Sequence, residues 1–240
     1  MQLHGKYETE INAFVEVCHR LSANMYVTGH GGNLARKLKE DLFLITPTRM
    51  NKGDVQGDDV VIIDSEGTVV EGRRRPTGET PMYVNFFHER PDVNSVIHCH
   101  PPVTNAFAIS TDDNLLMRPF FPETVTEVGP VPLVPYAQPL TQDLADRFLP
   151  FLQKYNAFLM ENHGLVILSP MDLKWVMMCT ELLEMSSLSL VHARSFGSVK
   201  EIPPHELDNL DMVMRTRQLP MFGAPGVNSS LREAYSALRS

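Results

Sequence analysis

Residues 90–101 are Arg90-Pro91-Asp92-Val93-Asn94-Ser95-Val96-Ile97-His98-Cys99-His100-Pro101. Their apolar, β-branched second half predicts a strand over 95–100, which ends at two prolines because proline lacks the amide hydrogen that a sheet ladder requires. Successive side chains of a strand point to opposite faces, so His98 and His100 share a face that Cys99 does not. The stretch therefore predicts two imidazoles at a strand end that can serve one metal ion.

A third ligand is needed, because a His-X-His pair alone also occurs among ordinary polar histidines. Apolar segments over 157–160 and 165–168 predict strands on both sides of Glu161-Asn162-His163-Gly164, and a side chain in such a turn projects beyond the sheet. Three neutral imidazoles with one open position are typical of a catalytic centre. Imidazole suits Zn²⁺ best among abundant ions, with Mn²⁺, Co²⁺ and Ni²⁺ as alternatives. The competing interpretation of His163 is a hydrogen bond within its turn.

Helices and strands alternate outward from these histidines. Apolar periodicity and cap residues predict helices over 8–23, 80–89, 103–109, 140–154 with Thr141 as a possible cap, and from Ser169-Pro170 to about Ser195. Short β-branched segments predict strands over 42–46 and 59–64. The segment after about residue 202 is rich in proline and polar residues and is expected to be a partly mobile tail. The alternation indicates one α/β or α+β layered domain over 1–240.

The overall composition limits the classes of function. With 240 residues, 43% of them hydrophobic, the chain is long enough for one substantial core. A formal net charge of -8 argues against nucleic-acid binding and favours a small-molecule partner. No secretory signal is expected from the first residues, and the sequence has no run of the roughly 20 apolar residues that a membrane span needs. Three cysteines without paired spacing indicate reduced thiols, so a cytoplasmic location is expected.

Several ordered motifs resemble the class II aldolase and adducin family. The matching stretches are Gly32-Asn33-Leu34-Ala35-Arg36, similar to a Gly-Asn-x-Ser substrate loop, Ile45-Thr46-Pro47-Thr48, similar to a Thr-Pro-Ser/Thr strand end, Pro76-Thr77-Gly78-Glu79, similar to Pro-Ser-Ser-Glu, and both histidine stretches. The resemblance covers residues 8–195. It implies an α/β fold of three layers, in which a central, mostly antiparallel sheet is flanked by helices. It also implies a C4-symmetric homotetramer with active sites between subunits.

The resemblance also implies a role for each matching residue. His98, His100 and His163 correspond to the metal ligands, and Glu79 to the catalytic acid/base, which is also expected to bind the ion. The residues that correspond to the substrate and phosphate loops are Gly32, Asn33, Thr48, Thr77 and Gly78. Without the resemblance, Glu79 would be interpreted as an exposed first-turn carboxylate, the Asn and Thr side chains as turn residues, and Arg73–Arg75 as a solvated charge run.

Two positions depart from the family pattern. Gly78 and Ala35 stand where the family has serines. The missing hydroxyl at Gly78 leaves open whether the substrate carries a phosphate group. Fuculose-phosphate aldolases use a tyrosine from a neighbouring subunit to protonate the departing aldehyde, whereas this chain has Phe120-Phe121-Pro122-Glu123 around that place. Glu123 is predicted to take over this proton transfer, as an acidic residue does in the related methylthioribulose-phosphate dehydratases. The alternative is a surface carboxylate, and Tyr136 is expected to be a packed aromatic residue.

The expected function is that of a metal-dependent carbon–carbon lyase. It would cleave a ketose 1-phosphate to dihydroxyacetone phosphate and an aldehyde through a metal-stabilised enediolate, and Phe120-Phe121 favours a deoxy sugar or another apolar aldehyde end. One alternative is a decarboxylase of a 3-oxo sugar acid phosphate. Another is a pentulose-phosphate epimerase, although such epimerases generally carry Asp where Glu79 stands. The non-enzymatic alternative is an adducin-like interaction module, which is expected to have lost its metal ligands.

Overall fold

A computed structural model describes residues 2–111 and 114–236, and an eight-stranded sheet lies at its centre. The strands are β1 Asn33–Lys39, β2 Leu42–Ile45, β3 Val61–Ile63, β4 Val69–Glu71, β5 Ser95–Cys99, β6 Leu133–Val134, β7 Ala157–Met160 and β8 Gly164–Ser169. Their order across the sheet is β4-β3-β2-β1-β5-β8-β7-β6, and all neighbours are antiparallel except β6 and β7. The mostly antiparallel sheet that the resemblance implied is therefore confirmed.

Helices cover both faces of this sheet. They are α1 Leu3–Lys6, α2 Glu8–Ala23, α3 Thr80–Glu89, α4 Pro102–Ala108, α5 Pro122–Glu127, α6 Gln142–Arg147, α7 Leu149–Leu152, α8 Leu173–Phe196, α9 Glu206–Thr216 and α10 Leu231–Ser236. On one face α2, α4 and α8 pack against strand residues such as Leu34 and Ile97. On the other face α3, α6 and α7 pack against Ala35 and Val96. Because neighbouring strand residues serve opposite cores, the fold has three layers.

Two predicted helices have different bounds in the structure. The segment predicted over 140–154 is divided into α6 and α7, because Pro150 has no amide hydrogen to donate and its ring clashes with the carbonyl group one turn earlier. Thr141 does cap α6, since its hydroxyl accepts from the Leu144 amide at 3.2 Å. Ser169 does not open α8, because it ends β8. The cap is Asp172, whose carboxylate accepts from the Trp175 amide at 2.9 Å.

The predictions missed three strands, β1, β4 and β6, and the structure of the C-terminal segment. β1 carries Arg36, Lys37 and Lys39, and these charges hide the alternation of a strand that lies between β2 and β5. The expected tail forms α9 and α10 instead, whose apolar residues pack with α5 around Leu207 and Met214.

The longest helix, α8, spans 24 residues and is only partly buried. Met185, Val191 and Phe196 are exposed on it, the last by 89%. In the described ranges, none of the helices has both the length and the apolar content that a bilayer crossing requires.

A buried arginine joins the stretch before β5 to the C-terminal segment. Arg90 is 0% exposed, and its guanidinium donates two hydrogen bonds to Asp92, at 2.8 and 2.7 Å. Its other acceptors are the carbonyl groups of Leu152, Tyr155 and Gly223 and the side-chain oxygen of Asn156. The planar, five-donor guanidinium suits such a set of acceptors, so the positive charge is fully hydrogen-bonded although no water reaches it.

Candidate metal centre and active site

Three histidines converge at one edge of the sheet. His98 lies near the end of β5, His100 follows that strand directly, and His163 lies in the turn between β7 and β8. Because β5 and β8 are paired, with His98 opposite Val166, the turn reaches both other histidines. One possible ligand atom from each residue lies within 4.8 Å of the others, and the Nε2 atoms of His98 and His100 are 3.2 Å apart.

The chain around the histidines is shaped by glycine. A Cβ atom on Gly164 would lie 2.5 Å from His100 Cδ2 and 3.0 Å from His98 Cε1, so no side chain fits there. A Cβ atom on Gly31 would also crowd His100, because it would lie 3.1 Å from Cε1. Asn162, directly before His163, has a φ of 55°, a left-handed conformation that asparagine tolerates better than most residues. These close approaches fix where the three rings lie.

Hydrogen bonding and burial prepare the rings for a metal ion. His98 Nδ1 donates to the Leu165 carbonyl group at 3.0 Å, which leaves the Nε2 lone pair directed into the cluster. Burial and, second, the neighbouring imidazoles lower the pKa of both His98 and His100 to about 3. Burial also lowers the pKa of His163. All three rings are therefore neutral near pH 7, which is the form that binds a metal, and the donor set fits a divalent ion.

A buried carboxylate completes the cluster. Glu79 is 4% exposed at the start of α3, with Oε2 at 3.5 Å from His98 Nε2 and Oε1 at 3.6 Å from His163 Nε2. Asn33 donates to Oε2 at 2.7 Å, and the Tyr83 hydroxyl donates to the Asn33 side-chain oxygen at 2.6 Å. The interpretation of Glu79 as an exposed first-turn carboxylate is therefore wrong.

The predicted substrate loops lie side by side next to Glu79. The Thr77 amide donates to the Thr46 carbonyl group at 3.0 Å, and the Thr48 amide donates to the Arg75 carbonyl group at 3.0 Å. Thr77 is buried, and its hydroxyl accepts from the Glu79 amide at 3.3 Å, whereas Thr48 is exposed. In the first loop Gly32 has a φ of 66°, and a Cβ atom there would lie 2.4 Å from Val27 Cγ1.

Gly78 is exposed, but it lies next to a residue that the sequence analysis missed. A Cβ atom on Gly78 would lie 3.0 Å from Leu140 Cδ2, so the leucine fills part of the space that a serine side chain would need. Leu140 has a φ of 66° and is 63% exposed, which is unusual for an apolar residue with a left-handed backbone. No local pattern identifies this contact, because Leu140 belongs to a distant turn before α6.

The other predicted residues lie away from the histidines. Glu123 is exposed on α5, and among the described residues no contact joins it to the histidine cluster of its own chain. Tyr136 is 54% exposed and not packed, because it follows the two-residue strand β6 and donates its amide to Glu161 at 2.9 Å. Arg73 and Arg74 are not simply a solvated run, since each donates to the buried Asp59, at 2.9 and 3.0 Å.

Several known proteins resemble this chain in sequence and in fold. The family model of the Class II Aldolase and Adducin N-terminal domain matches residues 12–187 of the sequence. A 5-deoxy-D-ribulose 1-phosphate aldolase from Bacillus thuringiensis is 30% identical over 184 residues, 76% of this chain and 84% of that protein. A 3-oxo-tetronate 4-phosphate decarboxylase from Pectobacterium atrosepticum is 29% identical over 144 residues, 59% of this chain and 66% of that protein.

Among solved structures, YgbL from Klebsiella pneumoniae, a putative aldolase/epimerase/decarboxylase, superimposes with a TM-score of 0.78 at 27% identity. The superposition covers 85% of this chain and 98% of that one. The span matched by the family model contains Glu79 and all three histidines. The chain therefore belongs to the class II aldolase and adducin family.

Proposed function

We propose that this protein is a Zn²⁺-dependent aldolase that cleaves a ketose 1-phosphate to dihydroxyacetone phosphate and an aldehyde. The observation that carries the proposal is the convergence of three neutral imidazoles with the buried carboxylate of Glu79, at 3.5 and 3.6 Å from two of them. Three imidazoles leave a divalent ion open positions for substrate oxygens. An adducin-like module would have no need for this arrangement.

The chemistry is divided between the ion and the chain. When bound by the histidines, the ion polarises the carbonyl and neighbouring hydroxyl oxygens of the ketose as a Lewis acid. Glu79 moves the proton at the carbon that becomes nucleophilic when the carbon–carbon bond breaks. Because Asn33 already donates to Oε2, the oxygen available to carry this proton is Oε1. Burial excludes water from the carboxylate and so strengthens its interaction with the reacting group.

The phosphate is proposed to bind beside the start of α3. In the described part of the chain, the Gly78 amide has no hydrogen-bond acceptor, so it is free to donate. It lies at the positive end of the helix dipole, which favours an anion. Gly32, Asn33, Thr48 and Thr77 are proposed to complete this pocket. Glu123 is proposed to act as the acid on the aldehyde side in the site of a neighbouring subunit.

The test is product release from candidate substrates. Purified, zinc-loaded protein is incubated with fuculose, ribulose and 5-deoxyribulose 1-phosphates, and triose phosphate is measured with a coupled enzyme. Release from any of these substrates supports the proposal. No release from any of them contradicts it, and the absence of bindable metal would favour the interaction module.

The second candidate is decarboxylation of a 3-oxo sugar acid phosphate. It is favoured by the 29% identity to a 3-oxo-tetronate 4-phosphate decarboxylase. The same ion and the same carboxylate would serve, because loss of CO₂ also leaves a carbanion equivalent next to a carbonyl group. Release of CO₂ from 3-oxo-tetronate 4-phosphate, without triose phosphate from the ketose phosphates, would select this activity.

A further inference from the structure

Two buried polar atoms without partners belong to neighbouring side chains at the metal centre. They are Nδ1 of His163 and Oδ1 of Asn105, and among the described residues only Ser95 Oγ shares this condition. Buried polar atoms of native proteins are nearly always hydrogen-bonded, so each exception requires an explanation. Because these two exceptions lie in adjacent side chains, one explanation is expected to account for both.

Asn105 is held in place beside His163. Its side-chain nitrogen donates to the His163 carbonyl group at 3.4 Å, which fixes the amide orientation because a flipped amide would set oxygen against oxygen. The Ala108 carbonyl group of the same helix, α4, accepts a hydrogen bond from the Asn162 amide at 2.9 Å. The side-chain oxygen of Asn105 is therefore the free end of a residue that already supports the histidine turn.

Helix α4 is itself anchored to α8. The buried carboxylate of Glu184 accepts from the amides of Val103 and Thr104, at 2.9 and 2.8 Å, and from the Thr104 hydroxyl at 2.7 Å. These bonds satisfy donors that the start of a helix leaves without partners. Asn105, the next residue, therefore has a defined position relative to the sheet edge.

His98 has a hydrogen-bond acceptor for its Nδ1–H that His163 lacks. A neutral imidazole that uses Nε2 as a metal ligand carries its proton on Nδ1, and this N–H normally donates to a carbonyl group or a carboxylate. In His98 the acceptor is the Leu165 carbonyl group. In His163, Nε2 faces Glu79, whereas Nδ1 is buried without an acceptor.

We propose that Asn105 is the positioning residue of His163. Its side-chain oxygen accepts the Nδ1–H of His163 when the metal ion is held, after a small rotation of the amide or through one water molecule. The bond fixes the tautomer that directs Nε2 at the ion and makes the ring a better ligand. This inference rests on the proposed metal centre.

Metal affinity tests the proposal. The Zn²⁺ dissociation constants of wild type, Asn105→Leu and Asn105→Asp are measured by competition with a chromophoric chelator, together with the unfolding of each metal-free protein. Asn105→Leu removes the acceptor and should weaken affinity about 10–100-fold, the usual loss for such a partner. Asn105→Asp keeps an acceptor oxygen for Nδ1–H but loses the donor to the His163 carbonyl group, so it should retain more affinity than Asn105→Leu.

The matched control is Asn85→Leu, because Asn85 also lies on a helix and donates its amide across the fold, to Asp146 at 3.0 Å, away from the histidines. It should leave affinity unchanged. Wild-type affinity in Asn105→Leu, or an equal loss in Asn105→Asp, would overturn the proposal. If wild type itself binds no Zn²⁺, the proposed function fails as well, so the two failures are distinguishable.

A spectroscopic measurement on wild type does not depend on the folding of any variant. In zinc-loaded protein labelled with ¹⁵N-histidine, the His163 Nδ1–H resonance should be present, slowly exchanging and close to an Asn105 side-chain signal. A His163 ring protonated on Nε2 instead would contradict the proposed bond.

Discussion

Glu79 is the residue on which the proposed chemistry depends most. Its replacement by glutamine keeps the size of the side chain and an oxygen that can accept from Asn33, but removes the group that carries the proton. We therefore expect Glu79→Gln to bind Zn²⁺ and to lose turnover by about 10²–10⁴-fold, the usual contribution of general acid–base catalysis. Steady-state kinetics and metal analysis of the same preparation measure both effects, with the exposed Glu66→Gln as control.

Near-normal turnover in Glu79→Gln would refute the assignment. A variant that loses metal and activity together would instead indicate that the carboxylate holds the ion.

Gly164 predicts a second effect at the residue scale. An alanine Cβ would lie 2.5 Å from His100 Cδ2 and 2.8 Å from the Cys99 carbonyl oxygen, so the rings must move. Gly164→Ala should lower Zn²⁺ affinity about tenfold or more, comparable to the loss of a residue that orients ligands. Gly5→Ala is the control, because a Cβ there has no atom within 4 Å. Equal zinc affinities of the two variants would show that the rings tolerate displacement.

At the scale of elements, the sequence predicted α2 and α3 with the bounds that the structure has, because each carries an apolar stripe and a clear end. It did not predict β1, because what makes this segment a strand is its place between β2 and β5, and not its lysine-rich composition. The convergence of His98, His100 and His163 was predictable from strand alternation and motifs. Leu140 was not, since its contact with Gly78 depends on how two distant loops pack.

The contact between Leu140 and Gly78 predicts how the two loops control substrate affinity. Gly78→Ser alone should gain little, because its side chain meets Leu140 at about the position of Cβ, 3.0 Å from Cδ2. Adding Leu140→Gly removes the obstacle and suits the φ of 66°. The double variant should have a KM for the phosphorylated ketose about tenfold below that of Gly78→Ser, since a hydrogen bond to a charged group contributes about 1.5–3 kcal/mol. Equal KM values in the single and double variants would argue against phosphate over this loop.

The link between Asp59 and the arginine loop predicts a pH dependence. Burial raises the pKa of Asp59, but hydrogen bonds from the Gln56 amide and from Arg74 and Arg73 outweigh it, so the pKa lies below the ordinary 3.8. A carboxyl group with a lowered folded-state pKa stabilises the protein above pH 3.8, and this stability is lost as the pH falls through the folded-state pKa. Denaturant unfolding should show that the free energy of unfolding falls less below pH 3.8 in Asp59→Asn than in wild type. Parallel pH profiles for the two proteins would contradict this.

At the scale of the whole molecule, we expect a tetramer. Met185 and Phe196 on α8 and Met212 on α9 are exposed by 59%, 89% and 59%, and such apolar residues on a surface are often covered by another subunit. Light scattering after size exclusion should give about four times the chain mass of 27.0 kDa, independent of dilution in the micromolar range. A mass of one chain would also remove the basis for a role of Glu123 in a neighbouring site.

The acceptors of Arg90 have a consequence for biosynthesis. The arginine is made early, but four of its acceptor residues come from positions 152, 155, 156 and 223, the last near the end of the chain. While a ribosome is still adding the C-terminal segment, the guanidinium has fewer acceptors and is costly to bury. All three histidines have by then been synthesised, so the nascent chain holds the three proposed imidazole ligands before the segment that closes over Arg90 exists.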